Sequence, residues 1–451
     1  MAKNILIFSD GTGQAGGLIP DEVETNVYKL YRATRCGPMS HIDPNEQVAF
    51  YDPGLGSPAD GGGMALGLDR RIYNYFSQGT GFGLTRNIID CYAAILHFYE
   101  PGDRIYLFGF SRGAYTARCV GGVLSLCGVP TRDENGNPIL RDPKSVRQLA
   151  EKAVKKVYLY GNGWTALRFA DQRKQIAQKF RMTYGSDDNG QSNIVPFFIG
   201  VWDTVSAVGA SWNVVAVASG ILAAVLFSYA TFAHFVGAWS WLAIIMAPIL
   251  IALLAVIFFL LLHFRSSMET TYSWFKTWHL NIWKVTFHDT KLNPRVQFAK
   301  HAQSIDENRK DFARVPWDPE GLRDLTTGWF EQVWFAGIHA DVGGGYLENE
   351  ARLSDISLQW MVDRAASTPF PVKVEPRFLS LYPSFSGTQH DERKAGGIPW
   401  TFGLRTILAD ARLHPTVIER FKLPGVMIFD QIKPYRPKSL RYHNDVKQYY
   451  N

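Results

Sequence analysis

Hydrophobic positions along the chain gather in short dense runs, separated by helical patterns and glycine-rich turns. The run NILIFSD (4–10) has the length and near-continuous apolarity of a buried strand ending in a turn. Similar runs recur at QVAFYDPG (47–54), DRIYLFGF (103–110), IVPFFIGVWD (194–203) and EQVWFAGI (331–338). Between them, ETNVYKLYRAT (24–34) sets Val27, Leu30 and Tyr31 on one helical face, and GLTRNIIDCYAAILHFYEPGD (83–103) reads as a helix stopped by Pro-Gly. Helices are also expected over RGAYTARCVGGVLSLCG (112–128), through most of the polar stretch 131–192, over 295–310, and over SDISLQWMVDRA (354–365) with a serine cap. GLGSPADGGGMALG (54–67) reads as a mobile glycine-rich loop, and HADVGGGY (339–346) as another glycine-rich loop. Strands alternating with helices, without an internal repeat, predict an α/β fold with a mainly parallel sheet flanked by helices.

One stretch breaks this pattern. From Thr204 to Phe264 there is no Asp, Glu, Lys or Arg. Two apolar segments lie inside it, 214–236 and 242–263, each slightly longer than the roughly 20 residues that span a bilayer core. Trp212, Trp239 and Trp241 sit where interfacial tryptophans are expected. The pattern predicts an inserted transmembrane helical hairpin over 213–264; a pair of buried core helices is the alternative. A charge-free turn returns the chain to its starting side, and Arg265 and Lys276 follow the second span there, so the flanking domain is expected on the cytoplasmic face. The aromatic-rich segment 271–287 reads either as interfacial or as ordinary core.

Composition narrows the classes. In 451 residues, 46% are hydrophobic and 20% charged, enough for a large core and against global disorder. A net charge of +6 without a basic run or a nucleic-acid motif argues against nucleic acid as a partner. Cys36, Cys91, Cys119 and Cys127 have no CxxC spacing, so neither a disulfide framework nor a zinc site is expected. The opening MAKNILIFSDGTG enters a strand at once, where a signal peptide would need a longer apolar region.

The candidate chemistry sits at strand ends. Gly109-Phe110-Ser111-Arg112-Gly113 is a G-x-S-x-G between a strand and a helix, the setting in which a serine sits on a sharp, strained turn as a nucleophile. Such a serine needs a base, and the base an orienting carboxylate. Asp203 ends one apolar run and His339 follows another, in the chain order Ser, Asp, His. Asp341 is the rival acid, although a neighbour two residues away more often shapes the loop. The first strand is followed by Gly11-Thr12-Gly13-Gln14-Ala15-Gly16, a literal GxGxxG. The proline of GLIPDEVE and the missing acidic residue about 20 positions on argue against a dinucleotide site. The better use of this turn is to supply a backbone N–H of Gly11 or Thr12 to an oxyanion, beside that of Arg112, with Asp10 bracing the turn or acting as an ordinary turn cap.

The stretches FSDGTG, TNVYKLY, YDPGLGS, GFGLTRNI, GFSRGAYTAR, IGVWDTV and WFAGIHADVGGGY occur in this order between about residues 4 and 365. On them the chain resembles the uncharacterised α/β-hydrolase domain family that includes the type VI secretion phospholipase effectors of the first Tle class. The resemblance implies Ser111 as nucleophile, Asp203 as acid, His339 as base, and hydrolysis of esters, in studied members of glycerophospholipids; it does not make every member a secreted toxin. The expectation is a membrane-anchored serine esterase, a phospholipase acting on bilayer lipids, with no cofactor and no metal; homo-oligomerisation is left open. A membrane-bound scaffold or pore-forming protein on the same fold is the alternative, and a membrane-tethered hydrolase of soluble esters or thioesters a third. The expected divisions are 1–212 and 265–370 for the two parts of the hydrolase core, 213–264 for the hairpin, and 371–451 for a C-terminal extension packing on the core.

Overall fold

The computed structural model describes residues 2–11, 23–54, 82–161, 168–205, 262–265, 279–282, 291–310, 312–319, 324–393 and 400–450. Six strands form one sheet: β1 (Asn4–Ser9), β2 (Gln47–Asp52), β3 (Arg104–Phe110), β4 (Phe198–Trp202), β5 (Phe298–Ser304) and β6 (Phe330–Phe335). They lie in the order 2-1-3-4-5-6 and every neighbouring pair is parallel. The C-terminal strand ends line up: Ser9 faces Gly109, Phe110 faces Trp202, and Trp202 faces Ala302.

Parallel strands are covered on both faces, which is why these runs are apolar throughout rather than alternating. Successive side chains still point to opposite sides. Ile5, Ile7, Ile105, Leu107, Ile199 and Val201 pack into one layer, with helices α2 (Phe82–Phe98), α3 (Arg112–Cys127), α4 (Pro143–Glu151) and α5 (Ala170–Tyr184). Leu6, Phe8, Tyr106, Phe108, Phe198 and Trp202 pack into the other, with α1 (Asn26–Thr34) and, after the short helix α6 (His339–Gly343), α7 (Arg352–Ala366). Thr25 caps α1 by accepting the Tyr28 N–H. A third cluster joins Ile305, Trp334 and Ala336 to Leu413, Val417 and Phe421, the last two from α8 (Pro415–Lys422). There the chain at 412–414 runs alongside β6: Trp334 N–H donates to the Arg412 carbonyl at 3.0 Å, and His414 N–H to the Trp334 carbonyl at 2.8 Å.

Three expectations change. The helix expected over 295–310 is instead strand β5. Its polar residues are buried in the sheet because each has a partner: Lys300 donates to Glu331, its direct cross-strand neighbour, at 2.6 Å, and Gln303 accepts from Arg314 at 2.6 Å. α7 starts at Arg352 without a side-chain cap, and Ser354 lies inside its first turn, donating to the Ala351 carbonyl. The loop after β6 opens with the short helix α6.

Most of the expected hairpin over 213–264 lies outside the described residues, as do residues 55–67 of the glycine-rich loop. Leu262–Arg265 is a strand paired antiparallel with His279–Ile282, so the second apolar stretch gives way to a β-hairpin before its expected end. Among the described residues, no helix is long and apolar enough to cross a membrane.

Candidate active site

Ser111 stands where β3 turns into α3, with φ 57° and ψ −120°, a conformation few non-glycine residues adopt. The two glycines make this turn possible. A Cβ on Gly109 would strike the Gly113 carbonyl, and one on Gly113 the Ser9 carbonyl, so the start of α3 lies directly against β1 and β3. The Ser111 N–H donates to the Trp202 carbonyl at 3.1 Å, tying the turn to the end of β4. Although Ser111 occupies the N-cap position, its hydroxyl makes no capping bond. It is held at a helix N-terminus, whose first N–H groups lack intrahelical acceptors.

Asp203 and His339 meet at the neighbouring strand ends. Asp203, directly after β4 and also at positive φ (33°), places Oδ2 2.6 Å from His339 Nδ1. A carboxylate only accepts, so the bond assigns the proton to Nδ1. Asp203 is 0% exposed and His339 5%. Burial alone would raise the Asp203 carboxyl. The Arg405 guanidinium, 2.9 Å from Oδ2, together with His339 and the Ser304 N–H at 3.0 Å, outweighs that and holds it well below the usual aspartate range. The His339 ring packs between Phe110 and Phe312, with centroids 4.6 and 5.2 Å away, and its backbone N–H donates to Glu307 at 3.2 Å. Its other nitrogen, Nε2, is buried and has no hydrogen-bond partner among the described residues. The Phe110 contact brings that ring beside the residue preceding Ser111.

The remaining candidates divide. Asp341 does not orient His339. It accepts the Ile338 N–H at 3.0 Å, fastening the start of α6, and bonds His390 Nδ1 at 2.6 Å and the His390 N–H at 3.1 Å. Asp10 accepts from Thr25 and Tyr51 at 2.6 and 2.7 Å and from the Gly11 N–H at 2.6 Å. Gly11 lies against Phe110 and Ser111, but its N–H is spent on Asp10, so it is not an oxyanion donor in this arrangement. Thr12 lies outside the described residues. Arg112 is the first residue of α3.

Arg405, Glu307 and His390 were not singled out as site residues by the sequence reading. None lies in a motif. Arg405 is 202 positions from Asp203, and only tertiary structure joins them. Among the described residues no group of three or more His, Cys, Asp or Glu side chains is disposed to hold a metal ion.

The sequence profile described as "T6SS, Phospholipase effector Tle1-like, catalytic domain" matches residues 3–364. The uncharacterized protein YEL023C of Saccharomyces cerevisiae is 30% identical over 212 residues, 46% of this chain and 27% of that protein. An uncharacterized protein from Pseudomonas aeruginosa of known crystal structure overlaps 85% of this chain and 48% of its own, at 16% identity and a TM-score of 0.33. A Tle1 effector bound to the VgrG spike of a type 6 secretion system overlaps 78% of this chain and 53% of its own, at 16% identity and a TM-score of 0.30. The chain thus spans about a quarter of the yeast relative and about half of each of these two structures. Superpositions this loose bear on neither fold nor chemistry.

Proposed function

The chain belongs to the T6SS phospholipase-effector Tle1-like catalytic-domain family, and from that premise we propose that it is a serine hydrolase cleaving acyl esters of membrane phospholipids. The observation that carries the mechanism is the Asp203–His339 pair, 2.6 Å apart and buried, with its imidazole packed on Phe110, the residue before a serine on a strained strand-to-helix turn. Ser111 Oγ attacks the ester carbonyl while His339 Nε2 takes its proton. The imidazolium that forms is stabilised by Asp203, which keeps the Nδ1–H tautomer in place. The negative charge on the carbonyl oxygen falls at the N-terminus of α3, where the Arg112 N–H is its donor. His339 passes the proton to the leaving alcohol as the C–O bond breaks. Water then attacks the acyl-serine by the same route in reverse and releases the fatty acid.

The apolar stretches within 213–261 serve in this reading to hold the enzyme at the bilayer that contains its substrate. The test is covalent. A fluorophosphonate probe should label wild-type protein at Ser111, and Ser111→Ala should lose both the label and ester hydrolysis while melting normally. Turnover near wild type in a folded Ser111→Ala protein would sink the proposal.

A further inference from the structure

The site is crowded with arginines, and nearly all of them are committed. Arg405 is bonded to Asp203, Arg309 to Glu307 and Glu392, Arg314 to Gln303, and Arg118 to the carbonyls of Val315 and Pro316. Arg112 differs. Its guanidinium is half-buried and makes no hydrogen bond or ion pair among the described residues, although it directly follows Ser111 at the head of α3. Withdrawing a guanidinium from water without a counter-charge is unfavourable. Here burial lowers it to about 10, and no carboxylate offsets this.

We infer that the Arg112 side chain binds the phosphate of a glycerophospholipid, making it the residue that selects phospholipids over neutral acylglycerols. The inference rests on the esterase reading above. The phosphodiester lies a few bonds from the ester carbonyls, so a carbonyl held at Ser111 leaves the phosphate within reach of the next side chain. A guanidinium suits it in charge and in bidentate geometry, and the positive end of α3 adds to the attraction. A diacylglycerol offers the same ester without the anion.

The experiment compares two short-chain esters with identical acyl groups, dihexanoyl-phosphatidylcholine and dihexanoylglycerol, on wild type, Arg112→Gln and Arg112→Lys, each shown to be folded by its melting curve. The quantity read is the ratio of kcat/KM for the phospholipid to that for the diacylglycerol. It should fall about ten- to a hundred-fold in Arg112→Gln and less in Arg112→Lys. Equal losses on both esters in both variants would overturn the inference, as would a wild-type protein that prefers the diacylglycerol; the esterase reading would survive either result. A wild type that hydrolyses neither ester overturns the esterase reading, and this inference with it. Inorganic phosphate controls for the source of the anion. If millimolar phosphate inhibits wild type but not Arg112→Gln while the phospholipid-to-diacylglycerol ratio is the same in both, the guanidinium serves a free anion and the headgroup assignment falls.

Discussion

Arg405 and His339 share one oxygen, Oδ2 of Asp203. In the proposed mechanism that cation keeps Asp203, the orienting carboxylate, ionised despite complete burial, and without it burial would push the carboxyl up. Arg405 is thus a positioning residue. Arg405→Met should lower kcat and move the acid limb of the kcat/KM profile to higher pH, and Arg405→Lys should restore part of both. A loss of stability with an unmoved pH profile would mean a purely structural role. Asp203 also couples the fold to pH. Its folded-state carboxyl is depressed, so its contribution is fully present above the ordinary aspartate value of about 3.9 and is lost as pH falls through the lowered one. The melting temperature of wild type should therefore drop more steeply below about pH 4 than that of Asp203→Asn; equal slopes would contradict this. Ser111, Asp203 and His339 were legible in the sequence because each directly follows an apolar run. Arg405 and His390 were not, because a partnership across a fold leaves no periodicity behind.

Among elements, the turn from β3 into α3 carries the tightest steric demand. Gly113→Ala would drive a methyl group into the Ser9 carbonyl, and backbone cannot yield as a side chain can. It should cost about 1–3 kcal/mol or more in urea unfolding and remove activity together with stability. A stable, active Gly113→Ala protein would show that α3 can retreat from β1. The sequence shows this turn plainly, since glycines two residues on either side of a serine have little other use between a strand and a helix. β5 escapes the hydrophobic pattern for the opposite reason. Lys300, His301 and Gln303 are 3%, 0% and 0% exposed, yet burial is not what their residue types advertise. Glu331 explains Lys300, since it sits opposite on β6 and also binds Arg364 at 2.8 Å. A strand stabilised by cross-strand polar pairs has no apolar pattern to detect.

For the molecule as a whole, the charge-free stretch is a self-contained question. The chain leaves β4 at Trp202 and returns to the same sheet at Phe298, so whatever lies between is an excursion from an assembled sheet. Replacing 213–261 with a Gly/Ser linker should leave hydrolysis of a short soluble ester largely intact, release the protein from sedimenting membranes, and remove most activity on bilayer lipid. Unchanged pelleting would show that these segments are not the anchor.

The stretch at 412–414 that hydrogen-bonds along β6 has a consequence for any shortened form of the protein. The family profile ends at residue 364, before this stretch and before Arg405. A fragment cut there would bare the backbone of an outermost strand, with Trp334 and its neighbours stripped of their cover. Unpaired strand edges recruit one another. With 213–261 replaced by the same Gly/Ser linker in both, such a fragment should come out of the cell as aggregate, whatever the state of its serine and histidine, while the chain that keeps residues 365–451 should be soluble and monodisperse.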